Sequence, residues 1–458
     1  MKKRFTEEQI IRILREAEVD GAIIRDICRH NANRLEDEKH REAQRFDLLG
    51  LQIQVSGYPT PSSNHSMANS MSDANFNKAL LKEMNANLRN CHEGNWDSAA
   101  RGLEPPPVGL MILHKTLSPI RKVRDKFKDK WNAWMRPLLV DLMRLLWPSL
   151  EYRFKVARFK DIGYLYDRLE DYASRDLLVK LMAFRAMGHR KVKLPQNNPG
   201  HWNNIRKIEN LEVAGPPISV DFMNLTLQLR DLSPLGYNMR AYCTGGGGSY
   251  IFLQKQYELH RNDVICKAEP GEIVIDAGAC WGETSLYFAF EVGESGRVIS
   301  YEFIPSNIAV LEKNIAENPH LAERITVIPN PIWSTSEQTL YYVDWGPGSR
   351  VSFQKLRADF DDTQCQTITI DDTVTRLSLP HVDFIKMDIE GAEIHALKGA
   401  EKTLRQFHPK VAISLYHSLE DFKTIPRYLD SLGLRYKFYL DHHTIYENET
   451  VLFGMPVN

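Results

Sequence analysis

The feature that most constrains the fold is the stretch at residues 274–289, VIDAGACWGETSLYFA, followed by Glu302 in RVISYEF. A short apolar run ends at Asp276. A turn spaced by Gly278 and Gly282 comes next, with Ala279 inside it, and a helix-like segment opens directly afterwards. This is the pattern of a strand, a tight loop and a helix N-terminus, by which α/β proteins grip a nucleoside cofactor. The spacing Asp276-x-Gly278-x-x-x-Gly282 differs from the G-x-G-x-x-G of dinucleotide sites. Glycines at these positions let the backbone approach where a β-carbon would collide. Glu302 stands 26 residues after Asp276, near the offset at which an acid takes ribose hydroxyls.

From Cys266 onward apolar strands alternate with helical patterns. Strands are expected at 272–276, 298–302, 326–328, 383–388, 411–416, 436–440 and 451–453. Helices are expected near 283–291, 305–318, 392–407 and 419–432, and an extra strand pair near 340–344 and 366–370. Such alternation predicts an α/β, doubly wound, largely parallel sheet with helices on both faces. Ligands in these sheets bind beyond the carboxyl ends of the strands, where the strand order switches. Asp276, Gly278, Gly282, Glu302, Asp388 and His417 all fall at or just past expected strand ends.

Length and composition set the surroundings of this core. A chain of 458 residues predicts two or three folded units. Lys+Arg 58 against Asp+Glu 59 favours no polyanionic partner through overall charge. The six cysteines are scattered without a C-x-x-C pair, which predicts reduced thiols and a cytoplasmic location. MKKRFTEEQ has no apolar core after its charges, so no signal peptide is expected. Residues 1–45 read as a helical appendage: Thr6 and Gln9 fit a capping box, and Phe5 and Ile10 a hydrophobic staple. Residues 46–110 read as a Ser-, Asn- and Pro-rich low-complexity linker with a short helix near 79–88. Residues 111–264 read as a helical and mixed accessory region, and 265–458 as the catalytic domain. Within the accessory region, 115–160 carries thirteen Lys/Arg against four acids, around the stripe WNAWMRPLLVDLMRLLW. A helix packed on its neighbour is the favoured reading there, and peripheral membrane contact the functional alternative. Gly245–Gly248 predicts a flexible loop or a close backbone approach, in a position that could cover the cofactor mouth.

Two further blocks carry chemistry. FIKMDIEGAEIHALKGA (384–400) ends a strand at Asp388, and Glu390 and Glu393 open the next helix, where capping is the structural alternative. VAISLYHSLEDFKTIPRYL (411–429) ends a strand just before His417. A histidine tuned near neutral pH suits removal of a hydroxyl proton, which makes His417 the candidate base; a hydrogen-bonding or helix-terminal role is the alternative.

The Asp276-x-Gly278-x-x-x-Gly282 turn resembles the first motif of class I S-adenosylmethionine-dependent methyltransferases. Together with YEFIPSN, DFIKMDIEGAEIHALKGA and ISLYHSLEDFKTIP, it resembles the FkbM family over about residues 160–458. SRDLLVKLMAFRAMGHRKVKLP and LQKQYELHRNDVI are similar to the accessory region of longer members. The resemblance implies a Rossmann-like methyltransferase fold, S-adenosylmethionine as cofactor, and O-methylation of a sugar, glycan or secondary-metabolite-like acceptor. It implies that Asp276, Gly278, Gly282 and Glu302 hold the cofactor and that Asp388 and His417 stand at matching motif positions; we read Ala279 and Asp388 as further cofactor-binding residues and His417 and Asp388 as catalytic. Glu390 and Glu393 belong to the DIEGAE block, and no residue is assigned to a metal. The Asn/Asp-Pro-Pro-aromatic tetrad and the Pro-Cys nucleophile of base-methylating enzymes are missing, which argues against a nucleic-acid substrate. KRFTEEQIIRILREAE is similar to the start of the helix-turn-helix subunit of insertion-sequence transposases, but RLEDEKHREAQRFD replaces the recognition helix. The rival readings are therefore a nicotinamide oxidoreductase and a DNA-binding or inactive fusion protein.

Overall fold

The computed structural model describes residues 63–88, 90, 159–261, 263–353 and 363–457. The transposase-like segment and the apolar stripe at 131–147, with nearly all of the basic region around it, lie outside the described residues. The chain divides into two compact units, and nearly all described residues belong to the one formed by Met67–Asp97 and Tyr152–Asn458.

Its centre is a seven-stranded sheet. We label the strands β1 (Ile273–Ala277), β2 (Arg297–Tyr301), β3 (Ile325–Ile328), β4 (Phe384–Met387), β5 (Lys410–Ser414), β6 (Lys437–His442) and β7 (Thr450–Met455). Their spatial order is β6-β7-β5-β4-β1-β2-β3. β1 to β5 pair in parallel, and β7 runs antiparallel between β5 and β6. Every residue of β1 and β4 is buried, as a parallel strand covered on both faces requires.

The main helices are α1 (Ser63–Asn87), α2 (Gly163–Arg168), α3 (Tyr172–Met187), α4 (Pro199–Glu209), α5 (Glu283–Glu291), α6 (Pro305–Ala316), α7 (Glu393–Lys398), α8 (Glu401–Phe407) and α9 (Asp421–Ser431). Strand periodicity of two sorts the core into two layers. Ile273, Ile275, Ile385, Met387, Val411 and Ile413 join Leu397, Leu404, Ile425 and Leu429 on one face. Val274, Val298, Phe384 and Ala412 meet Leu286, Tyr287 and Phe288 of α5 on the other.

Three expectations are corrected. The segment 46–110, expected as a linker with a short helix near 79–88, contains the longer α1, whose Phe76, Leu80 and Met84 recur at helical spacing and are buried in the first layer. Each such side chain contributes about 1.5–3 kcal/mol by leaving water, which offsets the cost of ordering a polar sequence. The helix expected over 392–407 is broken into α7 and α8 at Gly399, where a β-carbon would lie 2.1 Å from the Trp333 carbonyl oxygen. The strand pair expected near 340–344 and 366–370 is a three-stranded antiparallel ribbon of Thr339–Tyr342, Val351–Ser352 and Thr363–Gln366. Ile370 instead opens a helix, because the Thr369 hydroxyl caps the Asp372 N–H at 3.0 Å.

The accessory elements are tied to the sheet by directed bonds. Arg168 forks onto both oxygens of Asp430 at 2.7 and 2.9 Å and also donates to the Tyr436 carbonyl. Gly245–Gly248 forms one helical turn capped by Thr244. Its glycines serve close packing: a β-carbon on Gly245 would fall 2.7 Å from Glu209 Cγ, and one on Gly248 2.9 Å from Ile208 Cγ2. Among the described residues, no helix is long and apolar enough to cross a membrane.

Candidate active site

The chain runs β1–β2–β3 toward one edge and returns to place β4 on the other side of β1, so the crevice beyond the ends of β1 and β4 is the switch point. The first loop there is held by three devices. Gly278 has φ +87°, and a β-carbon on it would sit 1.9 Å from the Asp388 carbonyl oxygen. The glycine thus permits contact between the loops after β1 and β4. Gly282 has φ +94° and starts α5, packed against Leu311. The N–H groups of Gly278 and Ala279 both donate to the Tyr301 carbonyl, at 3.1 and 2.9 Å, which pins the turn to the end of β2.

Asp276 is fully buried and committed to the protein. Its carboxylate accepts from the Thr284 and Ser285 hydroxyls, each at 2.8 Å, and lies 3.0 Å from Lys386 Nζ. Lys386 comes from the middle of β4 and is buried as well. It also donates to the carbonyls of Ala277 (3.2 Å) and Gly278 (2.6 Å), with its ammonium 5.2 Å from the centre of the Tyr257 ring. One buried ion pair therefore ties β4, β1 and α5 together beneath the loop. Asp276 anchors the site and does not face its opening.

Glu302 does face it. Its Oε1 accepts from the N–H groups of Phe303 and Ile304 at 2.7 and 2.8 Å, while Oε2 receives only a long 3.3 Å bond from Asn307. Burial pushes its carboxyl up to about 7, against the lowering effect of those bonds. Asn307 Oδ1 is buried without a partner. Gly278, Cys280, Glu302, Asn307, Asp388 and Glu390 line a cleft of about 590 Å³, counting its open mouth. Phe303, Ile304, Asn330 and Pro331 add to its wall, and Gly346, Pro347 and Val351 of the inserted ribbon close one side.

Asp388 stands at the inner end of this cleft. Tyr257 donates to its Oδ2 at 2.9 Å, and Tyr416 reaches both oxygens at 3.0 and 3.1 Å. Burial raises its pKa, but His417 and the charge of Lys386 outweigh this and hold the carboxyl well below the usual range. His417 is almost wholly buried behind it. Its Nε2 lies 3.3 Å from Asp388 and 3.5 Å from Glu390, and its Nδ1 lies 3.0 Å from Glu393. Burial pushes the imidazole down, but proximity to these three carboxylates dominates and holds it above the usual histidine range. A neutral imidazole at pH 7, which the base assignment needs, is not the state these surroundings favour.

The candidates thus separate by position. Glu302, Asp388, Glu390 and Gly278 meet at the cleft, His417 and Glu393 lie behind it, and Asp276, Ala279 and Gly282 build its floor. Lys386, Tyr257, Tyr416 and Asn307 were not legible as site residues. Only the lysine left a signal, as a charge inside an otherwise apolar strand.

The strand order, with its antiparallel β7, and the cleft at the switch point define a class I methyltransferase fold. Residues 276–436 match the family model of the Methyltransferase FkbM domain. Among solved structures, the methyltransferase FkbM from Methylobacillus flagellatus KT is similar at 20% identity, covering 66% of this chain and 59% of that one, with a TM-score of 0.42. The chain therefore spans less than two thirds of that protein's length. Aeropyrum pernix fibrillarin, solved with natively bound S-adenosyl-L-methionine, is similar at 14% identity over 54% of this chain and 100% of that one (TM-score 0.31). A SAM-dependent methyltransferase from Aquifex aeolicus follows at 16% identity, covering 42% and 85% (TM-score 0.25). No curated protein matches the chain.

Proposed function

We propose that this protein is an S-adenosylmethionine-dependent methyltransferase that methylates a hydroxyl oxygen on a sugar, glycan or similar secondary-metabolite-like acceptor. The observation that carries the reading is the match of residues 276–436 to the FkbM methyltransferase domain, over the stretch that supplies most of the switch-point cleft. The residues present suit a nucleoside: Glu302 keeps one oxygen nearly free, and the unpartnered Asn307 Oδ1 lies beside it. Glu302 would hold the ribose hydroxyls, with charge-assisted bonds of roughly 1.5–3 kcal/mol each. Gly278 and Gly282 shape the loop that admits the cofactor, and Asp276 secures that loop through Lys386.

When bound, S-adenosylmethionine supplies a methyl group on an electrophilic sulfonium. The chain's task is then alignment and control of the acceptor proton. Asp388, ionised and at the cleft, accepts the hydrogen of the incoming hydroxyl and orients its oxygen. Tyr257, Tyr416 and His417 fix that carboxylate, so His417 acts through Asp388 as a positioning residue. Trp345 and Phe353, 63% and 53% exposed, flank the ribbon residues that line the cleft mouth, and aromatic faces of this kind suit the C–H face of a sugar. The free thiols of Cys243, Cys266, Cys280 and Cys365 support action in the reducing cytoplasm.

Transfer of labelled methyl from S-adenosylmethionine to a panel of hydroxylated glycans and small molecules tests the reading. Alkali-stable label on oxygen is expected, with Trp345→Ala raising the acceptor KM several-fold and leaving cofactor affinity unchanged. Label on nitrogen would overturn the O-methylation, and no transfer to any acceptor by a folded, cofactor-binding sample would count against the whole proposal.

A further inference from the structure

Asp388 and one oxygen of Glu393 are hydrogen-bonded, but the side of the cluster that faces His417 is not. Asp388, Glu393 and His417 each offer one ligand atom within 4.8 Å of the others. Glu390 Oε1 lies 3.5 Å from Nε2 on the cleft side. Although the distances are short, neither ring nitrogen of His417 has a hydrogen-bond partner, and nor does Oε2 of Glu393. The side chains of His417 and Glu393 are 3% and 0% exposed, so at the ring nitrogens charge attraction to the carboxylates stands in for water, without a well-directed hydrogen bond. Such an unmet demand, converging on one point from two loops, is what an ion-binding cluster leaves when described by its protein atoms alone.

Charge makes the same case. Three carboxylates surround one imidazole, which leaves an excess of two negative charges even with the ring protonated. Lys386, paired with Asp276, acts on Asp388 only through space, and Arg350 reaches only the outer edge of Glu390, at 3.4 Å. The backbone is shaped to bring these acids together: Glu390 adopts φ +56° and Gly391 φ +97°. A left-handed glutamate is an uncommon and strained choice, retained where the surroundings over-determine it.

We propose that Asp388, Glu393 and one ring nitrogen of His417, with Glu390 at the rim, bind a divalent metal ion, which displaces the proton from that nitrogen to solvent. A single imidazole among several carboxylate oxygens suits Mn²⁺, because Mg²⁺ and Ca²⁺ prefer oxygen-only sites. Asp388 and Glu390 line the cleft, so the remaining coordination positions open toward it and would take a water or a hydroxyl oxygen. Binding of the ion stands on the cluster itself; its use in holding an acceptor hydroxyl rests on the methyltransferase reading.

The test uses the full chain stripped with a chelator and titrated with Mn²⁺, the free ion being read by its paramagnetic resonance signal. One Mn²⁺ bound per chain is expected, displaced by Zn²⁺. Glu393→Gln and His417→Asn should each weaken binding by more than the roughly 10–100-fold that loss of an outer-shell partner causes, with circular dichroism reporting folding. Glu390→Gln, at the half-buried rim, serves if those variants fail to fold and should weaken Mn²⁺ several-fold. Absence of Mn²⁺ and Zn²⁺ binding to the wild type, or binding undiminished in the folded variants, overturns the site. Titration of the same samples with S-adenosylmethionine separates the two claims. Cofactor binding without metal removes only the ion, and metal binding without cofactor removes only the methyltransferase reading.

Discussion

Replacing Lys386 by Met tests how the floor of the site is held. Methionine fills nearly the same volume in the middle of β4, so packing is conserved while the ammonium is lost. Four contacts disappear with it: the 3.0 Å ion pair to Asp276, the bonds to the Ala277 and Gly278 carbonyls, and the approach to the Tyr257 ring. The Asp276 carboxylate then remains fully buried, with only the Thr284 and Ser285 hydroxyls to stabilise its charge. Breaking a buried pair from one side costs about 3–5 kcal/mol, mostly because the remaining charge is left without compensation. Equilibrium urea unfolding, compared at the transition midpoint, should show a loss of this size for Lys386→Met. The double variant Asp276→Asn, Lys386→Met keeps an acceptor for both hydroxyls and removes the stranded charge, so it should recover most of the loss. Cofactor affinity should also fall in the single variant, since the carbonyls that shape the glycine turn lose their donor. A single variant within about 1 kcal/mol of wild type, or a double variant no better than the single, would refute the anchor.

The remaining predictions concern the cleft and its support. Glu302 has its pKa raised to about 7 in the fold, so its stabilising contribution is present below the unfolded carboxylate range and is lost as pH rises through about 7. Ribose binding needs the ionised form; S-adenosylmethionine affinity should therefore rise with pH through about 7 in wild type and stay flat in Glu302→Gln, as followed by calorimetry at several pH values. Gly278→Ala places a β-carbon 1.9 Å from the Asp388 carbonyl at φ +87°. The backbone strain alone costs about 1–3 kcal/mol, and the clash must displace the loop carrying Asp388, so both the melting temperature and cofactor affinity should fall. Phe76→Ala should destabilise the unit by about 3–5 kcal/mol in urea unfolding if α1 belongs to the core; an effect below about 1 kcal/mol would return that helix to the role of a linker.

The legible part of this protein was the part whose chemistry is local. The run IVIDA, two glycines that need positive φ, and a helix opening at Glu283 are all contained within a few residues, and β1 and α5 follow that reading closely. The ends of β4 and β5 put Asp388 and His417 where the alternation of strands and helices expected them. Long-range contacts were less visible. Lys386 looks like an ordinary charge until Asp276 is placed beside it. Tyr257 reaches Asp388 across 131 positions of sequence. Folding also reversed the expected chemistry of His417, because its three carboxylate neighbours all sit in the segment just after β4 and only the packing of β5 against β4 brings the ring among them. In α1, Ser and Asn dilute the stripe ahead of Leu80, so the sequence showed a short helix near 79–88 but neither its earlier turns nor its burial.

The measurement that tests the central claim most directly is calorimetric titration of the purified protein with S-adenosylmethionine and, separately, S-adenosylhomocysteine. Micromolar binding of both by the wild type, lost in Glu302→Ala while that variant stays folded, is the predicted result. A folded wild type that binds neither ligand, or a Glu302→Ala variant that binds both with wild-type affinity, would contradict it.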